Sequence, residues 1–398
     1  MRVLYVQYTN PGAYPPLVRG ARLLAESGAE VMMLGTRVRG LDALDALPIP
    51  GVNFRLMAPA SEGWRLKAHY ARYAAWVARD GTAFRPDWIY ASDLLSAPIA
   101  RAIAALSGAR IVYHEHDAPA IGHESWTIKR CLDARQWLLR QADIVVTPNA
   151  ERSAHLSNAS GGRSVITVWN CPLRPIDAPI RVLRNEGLCV LFRGSINSER
   201  LPLTVIDALA CVGDGTSLNI AGYETVGSRG HVVDLVTRAE RLGIRERVRV
   251  LGTITEAALA TVGAQCDVGL AFMPMSSSDE NMRHMTGASN KVFEYLSHGI
   301  APLVSNLPDW RTTFVDPGYA LECDPTDSES IAGALAWAAQ HRDAVQETAS
   351  RGWERLQVDW NYESQFEPVL RAMWMSRQET VAATSGPADD EAGVPCAS

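Results

Sequence analysis

The chain has 398 residues, 47% of them hydrophobic and 21% charged, with a formal net charge of −6. That is the composition of a soluble globular protein of two or three domains, without the global basic footprint of a nucleic-acid binder. Seven cysteines, at 131, 171, 189, 211, 266, 323 and 396, are odd in number and include no Cys-x-x-Cys, which argues against a disulfide framework or structural zinc and fits a reducing cytosol.

The N-terminal run MRVLYVQY is too short for a signal peptide and reads as a buried strand, Val3–Val6. No apolar run reaches the roughly 20 residues that span a bilayer. A helix over Leu17–Ser27, ended by Gly28, leads to a strand over Glu30–Leu34. Within residues 64–79, Leu66, Tyr70, Tyr73 and Val77 share one helical stripe and are predicted core. Arg65, His69, Arg72, Trp76 and Arg79 form a neighbouring stripe, either a solvated face or a peripheral seat on anionic headgroups at the inner membrane face. Strands Trp88–Ala91 and Ile111–His114 flank a helix over Ala97–Leu106, and Ile144–Thr147 and Val165–Val168 complete the first half. Residues 170–179 hold three prolines, which break the pattern.

The alternation then restarts. Strands are predicted at Leu188–Arg193, Ser217–Ala221, Val248–Gly252, Val268–Phe272, Ala301–Ser305 and Tyr319–Glu322. Helices are predicted at Leu201–Cys211, Val232–Arg241, Glu256–Val262 and Asn290–His298. Strand–helix–strand repetition implies parallel sheets with helical crossovers. The expected fold is α/β, with two doubly wound Rossmann-like domains facing a cleft where ligands bind beyond the strand ends. The divisions are residues 1–172, a linker 173–186, residues 187–360, a helix 361–376 packing back on the first domain, and a polar tail 377–398 expected to be disordered.

The segment SNKVFEYLSHGIAPLVS (289–305) stands out. Ser289 is a candidate N-cap, followed by Asn290 and by Lys291 in the first turn, where a cation is unfavourable for the helix alone. A phosphate held there explains the lysine. Glu294, one turn on, is within reach of vicinal hydroxyls, while Val292, Tyr295 and Leu296 form the buried stripe and Gly299 ends the helix. The alternative is an exposed Lys291–Glu294 ion pair, worth about 0.2–0.5 kcal/mol. In HEHD (114–117), His114 and His116 share one face of an extended chain, with Glu115 and Asp117 on the other. Spacing alone leaves metal ligation and hydrogen-bonded loop histidines both open, and no partner ligand motif accompanies them. The glycines of GYETVGSRG (222–230) do not follow G-x-G-x-x-G, so no dinucleotide cofactor is inferred.

KVFEYLSHGIAPLVSNLP resembles the donor-binding segment of glycosyltransferase family 4, enzymes of the GT-B fold. YASDLLSAPIA, IVYHEHDAP, RQADIVVTPNAERSAHL, VITVWNCP, LFRGSINSERLPLTVIDAL, AQCDVGLAFMP and WNYE fall in matching order over roughly residues 1–375. The resemblance implies a retaining, hexosyl-type transferase that uses a nucleotide sugar in polysaccharide, glycolipid or glycoconjugate synthesis, in the cytoplasm. By it Glu294 binds the ribose and Lys291 the diphosphate. Gly194 lets phosphate approach the backbone, and Arg200, with neighbouring Arg193 as substitute, grips the diphosphate. His116 stands beside the transferred sugar, and His114, Asp117 and the loop of Gly12 lie on the acceptor side. The implied partners are a nucleotide sugar and a glycan, lipid-linked or small-molecule acceptor. Positive side chains at the leaving group remove the need for a cofactor or bound metal. Two features depart from the pattern. Thr286 stands where the family often has a glutamate, and Gly12 lacks the usual second glycine. They leave open a catalytically silent module that binds a glycan or partner protein; a nucleotide-sugar epimerase is the other alternative.

Overall fold

The structure, a computed structural model, describes residues 1–37, 48–59, 65–119, 125–182 and 187–384. Strands β1 (Arg2–Val6), β2 (Glu30–Thr36), β3 (Val52–Met57), β4 (Trp88–Ser92), β5 (Arg110–His114), β6 (Ile144–Thr147) and β7 (Ile166–Thr167) form one parallel sheet. Its order is β3-β2-β1-β4-β5-β6-β7. Strands β8 (Leu188–Ile196), β9 (Thr216–Glu224), β10 (Val248–Gly252), β11 (Val268–Ala271), β12 (Ala301–Ser305) and β13 (Leu321–Cys323) form the second, ordered β10-β9-β8-β11-β12-β13. Each sheet starts at an inner strand, runs to one edge, and resumes on the other side. The reversals lie at β1/β4 and β8/β11, and crevices open outside the carboxyl ends of strands at such points.

Helices α1 (Pro15–Glu26), α2 (Arg65–Phe84), α3 (Asp93–Ser107), α4 (Trp126–Gln141) and α5 (Ala150–Ala159) connect the first sheet. The second is covered by α6 (Thr204–Cys211), α7 (His231–Arg241), α8 (Glu256–Gly263), α9 (Glu280–Arg283), α10 (Lys291–Ser297), α11 (Pro308–Trp310), α12 (Ser328–Gln340) and α13 (Arg342–Val358). The last helix, α14 (Tyr362–Thr384), returns to the first domain. Its Tyr362, Phe366, Val369 and Met373 are fully buried with Val3, Tyr5, Leu17 and Ala21. This helix runs past residue 376, the expected helix end, into the tail 377–398 that was expected to be disordered, and residues 385–398 lie outside the described residues. Among the described residues no helix is long and apolar enough to cross a membrane.

Three further details differ from the sequence reading. Strand β3 escapes it because VNFRLM is a sheet edge with alternating burial and little apolar run. In α2, Tyr73 and Val77 are buried as predicted, but Leu66 is 48% exposed. Burial begins one turn later, where Tyr70 Oη donates to Leu95 O. The basic stripe of α2 is not continuous either. His69 bonds to Tyr8 Oη and Ala58 O, and Trp76 is half-buried under the Arg55 guanidinium. Only the charged members Arg65, Arg72 and Arg79 stay fully exposed.

Candidate active site

The ends of β8 and α10 build the donor-domain side. Gly194 sits inside β8, not in a turn after it, with φ of +111°, a conformation that L side chains rarely adopt. A Cβ there would stand 3.3 Å from Lys291 Cε, and one on Gly222, its partner in β9, would lie 1.9 Å from Gly194 O. Glycine at both positions lets the two strands and the lysine close up. The Gly222 role is packing, invisible in a loop motif.

Lys291 and Glu294 are each 5% exposed, which rules out the exposed ion pair. They do not bond to each other. Glu294 Oε2 forms an ion pair with Arg193 Nη1 at 2.7 Å, and Oε1 accepts from Asn290 Nδ2 at 2.9 Å and from Arg19 Nη2 at 3.4 Å. Arg19 lies on α1, so this carboxylate joins the two domains. Ser289 is not the N-cap. Its N–H closes a turn onto Met285 O at 2.8 Å, the helical path already includes Asn290, and Asn290 is the N-cap without a side-chain bond to a first-turn backbone N–H.

The Lys291 ammonium lies 5.6 Å over the Phe192 ring and forms no salt bridge among the described residues. Burial pushes its pKa well below the ordinary 10.5; Arg200 and Arg193 push the same way, and Glu294 opposes them. Arg200 donates to Ser195 Oγ at 2.6 Å and lies 3.6 Å from Met282 Sδ. Burial lowers its pKa too, against the pull of Asp117. Of the two arginines weighed in the sequence, Arg193 is committed to Glu294, whereas Arg200 meets no carboxylate at salt-bridge distance among the described residues. Thr286 is buried and donates to Asp309 Oδ2 at 2.5 Å.

The first domain supplies the opposite wall. His114 and His116 do share a face: their ring centroids lie 3.7 Å apart with the planes tilted by 32°. His114 Nδ1 is bonded to Tyr90 Oη at 2.6 Å. His116 is 5% exposed, and neither ring nitrogen has a hydrogen-bond partner among the described residues. Burial, helped by the Arg152 charge, pushes its pKa down to about 3, so at neutral pH it is an uncharged hydrogen-bonding group. Glu115 is withdrawn from this face and held by Arg135 and Tyr113. No group of three or more His, Cys, Asp or Glu that could hold a metal is found among the described residues. Gly12 lies in the turn Pro11–Ala13, its N–H donating to Asn10 Oδ1, and the following Tyr14 ring stands 5.9 Å from His116.

Asp93 was not singled out from the sequence. Its Oδ1 accepts the backbone N–H groups of His116 at 2.8 Å and Asp117 at 3.3 Å, and its φ is +61°. A left-handed non-glycine residue costs on the order of 1–3 kcal/mol and is characteristic of functional sites. The missed signal was positional, since Asp93 follows β4 at the switch point. Burial and then Asp117 push its pKa up to about 8, against the two N–H donors. Asp117 opens onto the cleft; its pKa is raised by the surrounding protein and held down by Arg152 and Arg200. The sign for Asp93 follows from linkage. Between the ordinary 3.8 and about 8 the folded state binds the extra proton, so stability falls as pH rises through that window. Asp93→Asn, which tolerates the same backbone, is expected to flatten that fall in melting temperature against pH. An unchanged slope would remove the assignment.

Residues 17–170 match the glycosyl transferase 4-like domain family. The chain is 24% identical over 403 residues to a glycogen synthase of Mycobacterium tuberculosis, covering 92% of each. The structure superposes on that of Anabaena Alr3699/HepE, solved with UDP-glucose, with a TM-score of 0.68 at 16% identity, covering 96% of this chain and 100% of that one. For a sucrose-phosphate synthase of Thermosynechococcus elongatus the TM-score is 0.70 at 14% identity, with the same coverage. Residues 17–170 are thus similar to a glycosyl transferase 4-like domain, set in a chain of GT-B fold.

Proposed function

We propose that the protein transfers a hexose from a nucleoside-diphosphate sugar to an acceptor held by the first domain. The observation that carries this is the pair of basic side chains, buried Lys291 and half-buried Arg200. Both lack a carboxylate partner at salt-bridge distance among the described residues, and they flank the glycine backbone of β8. Two such charges are costly in a folded protein unless an anion offsets them. A diphosphate leaving group fits this need, and the Anabaena neighbour was solved with UDP-glucose.

In the proposed reaction the anomeric C–O bond breaks and its electron pair goes to the diphosphate. The acceptor oxygen forms the new bond on the same face, and its proton passes to the departing phosphate oxygen. Lys291 and Arg200 stabilise the charge as it develops, the part a divalent metal plays elsewhere. His116, neutral and unpartnered, hydrogen-bonds the sugar or acceptor hydroxyl. Asp93 is protonated at neutral pH, which makes it a poor covalent nucleophile and favours direct same-face displacement with retention. The carboxyls of Asp93 and Asp117 suit a hydroxyl-rich glycan acceptor.

A thermal-shift titration with UDP, UDP-glucose and the corresponding guanosine compounds tests this, together with slow nucleoside-diphosphate release in the absence of acceptor. Stabilisation by one nucleotide class and slow release are expected. No stabilisation by any of them would end the proposal, and binding without release would favour the silent module.

A further inference from the structure

We infer that the segment Asp279–Met285 of the second domain is a latch that fixes the His116 loop against the leaving-group arginine, with Asn281 and Arg152 as its positioning residues. The inference rests on the proposed transferase reading. The Asn281 side chain pairs with one residue of the other domain at both backbone groups: Ala118 N donates to Oδ1 at 2.6 Å, and Nδ2 donates to Ala118 O at 2.9 Å. This two-point contact reads the course of the chain, whatever the side chain at 118. Arg152, on α5 and 5% exposed, closes the same junction from beneath. Its Nη1 donates to His116 O at 2.6 Å and its Nη2 to Asn281 O at 2.9 Å, and it lies 3.8 Å from Met285 Sδ. One guanidinium therefore holds the carbonyl of the sugar-side histidine and the carbonyl of the latch residue together.

The segment's other contact faces the donor. Met282, next to Asn281, lies 3.6 Å from Arg200 Nη2. Asn149 Nδ2, capping α5, reaches His284 O at 2.5 Å, further along the segment. A run of seven residues thus touches the loop of His116, its supporting helix and Arg200. None of these contacts is to a site where substrate would bind through Asn281 itself. Asn281 acts through Ala118 and Arg152 and sets the register of two walls that must face each other across the reacting bond. A misplacement of about 1 Å between such walls is enough to cost about 100-fold in rate.

The test compares wild type, Asn281→Ala and Asn281→Asp as full chains. The aspartate keeps the acceptor for Ala118 N–H and loses the donor to Ala118 O. UDP binding by thermal shift, UDP release from UDP-glucose and the radius of gyration by small-angle scattering are measured for each. Asn281→Ala is expected to hold its UDP affinity and its KM for UDP-glucose within about twofold, to lose about tenfold or more in kcat, and to be more expanded. Asn281→Asp should fall between. An alanine variant with unchanged kcat and unchanged radius overturns the latch, as does one whose loss is all in UDP affinity. If wild type neither binds nor releases UDP, the transferase reading fails, and the scattering comparison still decides whether Asn281 holds the domains together.

Discussion

Lys291→Met should abolish stabilisation by UDP and UDP-glucose while leaving the ligand-free protein at least as stable as wild type. Methionine keeps an apolar stem against Gly194 and Phe192 and removes only the charge. In the free protein that charge is a burden, because burial, Arg200 and Arg193 all disfavour it and only Glu294 helps. Between the depressed folded value and the ordinary 10.5 the unfolded chain binds more protons, so wild-type stability rises with pH through that window. The variant should lose this rise. A diphosphate reverses the balance by giving the ammonium its counter-charge, so at a pH within that window nucleotide binding should take up a proton in wild type and none through this group in the variant. Calorimetry in two buffers of different ionisation enthalpy measures that uptake. Turnover should drop between about 100- and 1,000-fold, the loss seen when one preorganised donor to a developing anion is removed. A variant that binds UDP as wild type does, or one that melts well below it, would show that Lys291 serves packing alone.

The two alternating halves were legible because parallel strands buried on both faces write themselves as short apolar runs. β6 and β12 start and end where those runs do. β3 was not legible, because an edge strand keeps one side polar. At the site, Lys291, Glu294 and His116 stood out as polar residues beside apolar runs, and all three are buried at the cleft. What could not be read was which group answers which. Arg19 reaches Glu294 across 275 residues of chain, and Arg152 reaches Asn281 across 129. Both are ordinary arginines on helix faces until the domains meet. Ser289 misled for the converse reason. A hydroxyl before a helix predicts a cap from local chemistry, but here the chain already follows the helical path at Asn290, which is the capping residue. Thr286 reads as a lost carboxylate in the sequence, yet the fold sets the Asp309 carboxylate against its hydroxyl.

Glu294→Ala should do the opposite of the lysine variant to the free protein and should melt it early. Both Glu294 oxygens are in use, and the side chains of Arg193 and Arg19 are only 20% and 14% exposed. Removing the carboxylate takes the counter-charge from two largely buried guanidinium groups. Breaking a buried pair in this way costs about 3–5 kcal/mol, which corresponds to a fall of about 6–20 °C in the melting of a domain of this size. That loss would hide any direct role in binding ribose, so the single variant cannot assign one. A carboxylate has about four acceptor positions, and the contacts from Arg193, Arg19 and Asn290 leave room for one hydroxyl. The double variant Glu294→Gln with Arg193→Met separates the two roles, since it removes the orphaned charge together with its partner. Its melting temperature should recover most of the loss while its response to UDP stays weak. Recovery of both would make Glu294 a support for Arg193 and no ribose ligand. A single alanine variant that melts within about 2 °C of wild type would mean that the arginines find water as soon as the carboxylate goes, and that the junction of α1 with α10 is looser than its geometry shows.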